Sequence, residues 1–142
     1  MKILISLFFL LPILSFSQIE NKTYDVIVLQ ARFPNGIDSL QTFFKNNTNK
    51  ITPKTKNIGV VVYQFTVLQS GKIKNITLTQ GLNKKVNKEY LRVIELMPKW
   101  EPCEFAAKYV IENIQLTIQT HVNKKTNSTV LEITTKHINY QK

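Results

Sequence analysis

The sequence predicts an α+β domain: a short antiparallel sheet with two helices packed on one face, plus an extra strand at the carboxy-terminal end. Three observations predict it. The runs Val60 to Val67 and Asn113 to Val122 alternate along the chain with the two-residue period of a half-buried strand. Two other runs, around Ile37 to Phe44 and Tyr90 to Met97, repeat apolar residues at helical spacing. All four glycines, and the prolines Pro34, Pro53, Pro98 and Pro102, fall between these runs and punctuate them. Neither helical stripe is large enough to hold a helix by itself, so both need the sheet.

The first segment is set apart. Lys2 gives a positive start, Ile3 to Leu14 is apolar, and Ser15-Phe16-Ser17 places small residues where a signal peptidase reads. The apolar run is shorter than the ~20 residues of a membrane span and contains Pro12. Residues 1–17 are therefore expected to be a cleaved signal peptide, leaving a periplasmic or secreted chain with no stable membrane span. About 125 residues would follow, which suits one domain. No cysteine follows the apolar run to carry a lipid.

Residues 18–32 form a linker or lead-in strand, with Tyr24 to Ala31 rich in Val, Ile and Leu. Phe33-Pro34-Asn35-Gly36 turns the chain. Ile37, Leu40, Phe43 and Phe44 then share a helical face, with Asp38 in the first turn, where a negative charge suits the helix dipole. This helix frays into Asn46 to Lys50 and ends by Pro53. In the first clear strand, Val61, Tyr63, Phe65 and Val67 share the apolar face. Gly71 closes a hairpin in Leu68 to Lys72, and Ile73 to Thr79 returns. Asn87 is read as the cap of a second helix bearing Tyr90, Val93, Ile94 and Met97, stopped by Pro98. In the long strand, Ile114, Leu116, Ile118, Thr120 and Val122 face a core. Upstream, Glu112 breaks the pattern and suggests a bulge. A loop, Asn123 to Ser128, leads to a further β-prone run, Thr129 to Ile138, expected to fold back as a hairpin. The expected core comprises Leu40, Phe43, Tyr63, Phe65, Val67, Val93, Met97, Trp100, Ile114, Leu116 and Ile118.

The chain is basic, with a formal charge of +10, which favours acidic partners. Its lysines are scattered, and the pairs Lys84-Lys85 and Lys124-Lys125 are read as solvated turns. With an export signal and no arginine-rich or aromatic-interleaved basic stretch, nucleic acid is not an expected partner. Cys103 has no second cysteine to pair with, and neither His121 nor His137 stands in a catalytic signature with it. There is no paired-carboxylate motif, Ser/His/Asp order, metal-ligand spacing or phosphate-cradling glycine loop. No enzyme activity, catalytic residue, metal site or cofactor is expected.

Phe33-Pro34-Asn35-Gly36, the glycine turn Gly71-Lys72, Gly81-Leu82 before the second helix, and Met97-Pro98-Lys99-Trp100 at its end occur in the order and spacing of one family. Over roughly Phe33 to Ile118 the chain resembles the TonB C-terminal domain. The resemblance assigns residues 33–122 to such a domain and leaves 123–142 as a carboxy-terminal hairpin extension. It departs in three places. Asn83-Lys84-Lys85 replaces an acidic loop, Asn49 to Pro53 replaces a tyrosine-proline pair, and no proline-rich spacer precedes Phe33. Cys103 stands where the family carries glycine. The resemblance implies a protein-binding module for transport, one that recognises an extended peptide of an outer-membrane transporter or envelope protein by β-augmentation. The implied pairing edge is the last family strand, represented by Asn113, Gln115, Thr117, Gln119 and His121. The alternative is a structural or assembly protein of the envelope, acting through its basic surface or as a homodimer. In that case its own carboxy-terminal strand covers the edge.

Overall fold

In a computed structural model, residues 26–49 and 58–141 are described. The expected leader 1–17, the residues up to 25 and the loop around Pro53 lie outside them. The described residues form a six-stranded antiparallel sheet and two helices. In order these are β1 (Val28–Leu29), α1 (Ile37–Asn47), β2 (Gly59–Val67), β3 (Ile73–Gln80), α2 (Lys84–Glu95), β4 (Cys103–Phe105), β5 (Lys108–Asn123) and β6 (Ser128–Gln141). Strands run β1-β4-β5-β2-β3 across the sheet, and β6 also pairs with β5.

Of the described part of the expected lead-in strand, Val28 and Leu29 form β1 and pair with Phe105 and Glu104. Beyond it the chain sinks inward, and Ala31 and Phe33 are buried. Phe33 C=O accepts from Gly36 N–H at 2.8 Å, with Asn35 at φ 61. Proline second and a positive φ third in this four-residue turn are the marks of a type II turn. Gly36, at φ 85, then becomes the N-cap of α1.

In β2 the valine-rich sequence buries Val61, Tyr63, Phe65 and Val67, the face its alternation predicts. Gly71 at φ 79 closes the β2–β3 turn, and its carbonyl accepts from Trp100 N–H at 2.8 Å. A Cβ at Gly71 would run into the Trp100 carbonyl, so glycine is required twice over at this position. Trp100 is seated edge-on to Phe33 and Phe65, with centroids 5.9 and 5.2 Å away.

The α2 helix starts earlier than its sequence suggests. Asn83, not Asn87, is the N-cap, and its side chain accepts from Val86 N–H at 3.1 Å. Asn87 lies inside the helix and reaches back to accept from Leu82 N–H at 3.0 Å. Two asparagines thus satisfy donors on either side of the helix start, as a capping box does. Lys84 and Lys85 consequently belong to the first turn of α2 and not to a loop. From α2, Tyr90 Oη shares a 2.7 Å hydrogen bond with Thr120 of β5, while Asn87 C=O accepts from Tyr63 Oη at 2.6 Å. Glu89 accepts from Asn49 N–H and from Arg92, whose guanidinium also donates to Asn47 C=O, fastening α2 to the end of α1.

Of the expected core, Leu40, Tyr63, Phe65, Val67, Val93, Trp100, Ile114, Leu116 and Ile118 are buried. Phe43 and Met97 are only partly buried and pack against the others. Glu112 produces no bulge in β5, whose pairing with β2 is regular from Glu112 to Thr120. The irregularity lies on the facing strand, where Ile138 is the extra residue of β6 opposite Asn113 and Ile114. Because Asn123 pairs with Ser128, the β5–β6 loop shrinks to Lys124 to Asn127. The β4–β5 hairpin had no sequence signal. Phe105 pairs with Lys108, and Ala106 and Ala107 both adopt positive φ, 49 and 61.

Two stability predictions follow from these contacts. Left-handed alanine costs about 1–2 kcal/mol, part of which glycine returns as unfolded-state entropy. Ala107→Gly should therefore raise stability by about 0.5–1 kcal/mol in a denaturant titration; equal or lower stability would mean the turn is unstrained. Arg92 beside Glu89 holds that carboxyl down to about 2, against the opposing effect of burial and with help from Asn49. A depressed acid stabilises the fold above the ordinary carboxylate range near 4.3, and that contribution is lost as pH falls toward 2. Glu89→Gln should flatten the acid limb of the stability–pH curve in this window, measured by urea midpoints.

Candidate functional site

β5 is bonded along both sides. β2 runs beside Glu112 to Thr120 and β6 along the other side from Ile111 to Asn123, while β4 pairs Lys108 to Val110 at the start of the strand. The expected pairing residues are therefore not at an open edge. Asn113 lies between Thr66 and Asn139, accepting from Thr66 Oγ1 at 2.8 Å and donating to Asn139 Oδ1 at 2.6 Å. Gln115 is opposite Gln64 and Lys136, Thr117 opposite Val62 and Thr134, and Gln119 opposite Val60 and Glu132. His121 is exposed and faces Val130. The run is in the expected phase, but a strand of the same chain occupies the place of the expected peptide.

The outer edges of the sheet differ in kind. β3 carries two extra residues against β2, one between the partners of Val62 and Tyr63 and one between those of Gln64 and Thr66, where Asn75 has φ 54. Such bulges bend an edge away from an incoming strand. β6, by contrast, pairs regularly from Ser128 to His137.

Near its middle, β6 is met by α1. Gln41 Oε1 accepts from Ile133 N–H at 2.8 Å, and Gln41 Nε2 donates to the Leu131 carbonyl. These two main-chain groups therefore point away from β5. Since a strand residue directs its N–H and C=O to the same side and alternates, Thr135 and His137 direct theirs outward too. No partner for those main-chain groups occurs among the described residues. β6 thus offers an edge of which Gln41 covers one part.

A second group of reactive side chains gathers where β4, β5 and β6 meet. Glu112 is 1 % exposed, in the core phase of β5. It accepts from Ala31 N–H at 2.6 Å and lies 3.0 Å from His137 Nδ1. Burial pushes the Cys103 thiol up, and the neighbouring Glu112 carboxylate adds to the effect. A nucleophilic cysteine needs the opposite shift, so this arrangement keeps the thiol protonated. The cluster ties the segment after β1 to β4, β5 and β6. Sequence reasoning missed it because Glu112 looked like a break in the pattern and Cys103 and His137 are far apart in the chain. No three His, Cys, Asp or Glu side chains among the described residues form a group that could hold a metal ion. No described helix is long and apolar enough to cross a membrane.

Leaving a buried donor such as the Ala31 N–H without its acceptor typically costs about 1–3 kcal/mol. Glu112→Ala should lower unfolding free energy by that order and speed amide exchange at Asn139 to Gln141, where β6 is held beside it. Unchanged exchange there would show that the cluster does not hold the end of β6. Comparison with protein-family models, with curated proteins and with solved structures finds no match for this chain.

Proposed function

We propose that this chain is a non-enzymatic binding module of the cell envelope, periplasmic or secreted. Its fold is of the TonB C-terminal-domain type, with two helices on one face of the sheet and a strand added at the carboxy end. It adds an extended peptide of an outer-membrane transporter or another envelope protein to the sheet as a further strand. The observation that carries this reading is the outward main chain of Thr135 and His137, in a strand regular enough to accept a partner. Backbone pairing gives the affinity in this mode, and alternate side chains give the selectivity. The expected edge on β5 is replaced by the edge of β6, one strand further out.

A second reading, a structural or assembly protein with a self-covered edge, is favoured by one observation: β6 fills the whole side of β5 from Ile111 to Asn123. Proline distinguishes the two. Thr135→Pro removes an outward N–H while leaving the inward ladder of Thr134 and Lys136 intact, a position where edge strands tolerate proline. Immobilised chain should retain outer-membrane transporters from a solubilised envelope extract, and Thr135→Pro should lose them without a comparable change in melting temperature. Equal retention by the variant, or retention of no transporter by the wild type, would reject strand addition at β6.

A further inference from the structure

The edge of β6 carries its own complement. Glu132 and Lys136 are exposed, on the same side of the strand, with Thr134 between them. Their neighbours across β5 are the uncharged Gln119 and Gln115, and neither joins an ion pair among the described residues. Suppose two copies of β6 pair antiparallel about a two-fold axis at Thr134. Glu132 of each then faces Lys136 of the other, in non-hydrogen-bonded positions, where side chains approach closest. Ile133 faces Thr135 and Leu131 faces His137, and these are the residues whose main-chain groups point outward. The register that pairs the charges is therefore one the backbone can bond.

Neighbouring registers lack this match. Moving the axis to Ile133 sets Glu132 against Thr134 and Lys136 against Val130. Moving it to Thr135 sets Glu132 against Ile138 and Lys136 against Thr134. An axis at Glu132 or at Lys136 opposes like charges, which destabilises a strand pair.

Gln41 stands in the way of this pairing. Its carboxamide offers one acceptor and one donor to residues two apart on β6, the pattern a residue of a parallel neighbouring strand would present. It acts as a one-residue substitute for a strand. We propose that β6 is a homodimerisation edge: a second copy of this chain pairs with it antiparallel, centred on Thr134, and Gln41 is the latch that must swing out first. This uses the same edge as the proposed function but does not depend on a transporter peptide.

The test is sedimentation velocity on the purified chain over a concentration series, with circular dichroism to verify folding. Alanine suits a helix, so Gln41→Ala keeps α1 while removing the latch. It should tighten the dimer at least about tenfold, since two hydrogen bonds per copy no longer compete. Glu132→Lys in that background should return the chain to monomer, and the exchanged pair Glu132→Lys with Lys136→Glu should restore the dimer. A Gln41→Ala chain that is folded and no more dimeric than wild type overturns the latch. A dimer indifferent to Glu132→Lys overturns the register. Glu132→Lys leaves the edge main chain untouched, so transporter retention that persists in this monomeric variant separates the fate of the dimer from that of peptide addition.

Discussion

The need to satisfy the backbone of β5 on both sides organises this fold. Sixteen residues from Lys108 to Asn123 run through the middle of the sheet, and buried positions alternate from Val110 to Thr120. A buried strand cannot leave N–H and C=O groups unbonded without losing stability at each one. β2 meets the demand on one side. On the other, β6 does so from Ile111 to Asn123, and β4 pairs Lys108 to Val110 at the start of the strand. The carboxy-terminal hairpin is therefore part of the sheet's hydrogen-bond balance, with Ile133 contributing to the core.

The buried carboxylate at Glu112 has a role that an apolar residue could not fill. Apolar contacts between β5 and β6 would tolerate sliding by two residues, because a shift of two restores the same faces. The meeting of Glu112 with His137 and Ala31 N–H does not tolerate it: a slip by two removes His137 from reach and leaves the carboxylate with fewer donors. Next to it, the extra residue at Ile138 lets β6 continue to Tyr140, whose ring lies 5.4 Å from Phe105 of β4. Polar pairing fixes the register, and aromatic contact joins the end of the strand to its neighbour.

What the sequence made legible follows the strength of its periodic signals. β2, β3, the central part of β5 and the existence of β6 were all readable, because apolar alternation and a glycine turn leave few other solutions. The start of α2 was misplaced by four residues since both Asn83 and Asn87 have the chemistry of a cap, and only the tertiary contact with Leu82 separates them. β4 was invisible: its hairpin turns on Ala106-Ala107 and not on the Asn-Gly pair that positive φ favours, so tertiary packing overrides local preference there. The sequence left the availability of Asn113 to His121 open between a free edge and one covered by the carboxy-terminal strand, and β6 covers it. Whether an edge is open depends on a neighbouring strand, and no pattern within the strand itself reports that.

Two of the outer strands, β3 and β6, show different solutions to one hazard. An unpaired edge invites association with whatever strand is nearby. β3 is distorted by its own extra residues, a permanent solution, because a bulged backbone cannot recover a straight ladder without refolding. β6 is regular from Ser128 to His137 and, among the described residues, is capped there by the Gln41 side chain of α1. The choice of residue matters at that point. Lysine could donate to the Leu131 carbonyl but not accept from Ile133, and glutamate could accept but not donate. A primary carboxamide does both. Its release breaks two hydrogen bonds. A sheet that needed only protection would be served equally well by a bulge on each side. Bulging one edge permanently and closing the other with a reversible contact is the arrangement expected of a surface that pairs on demand.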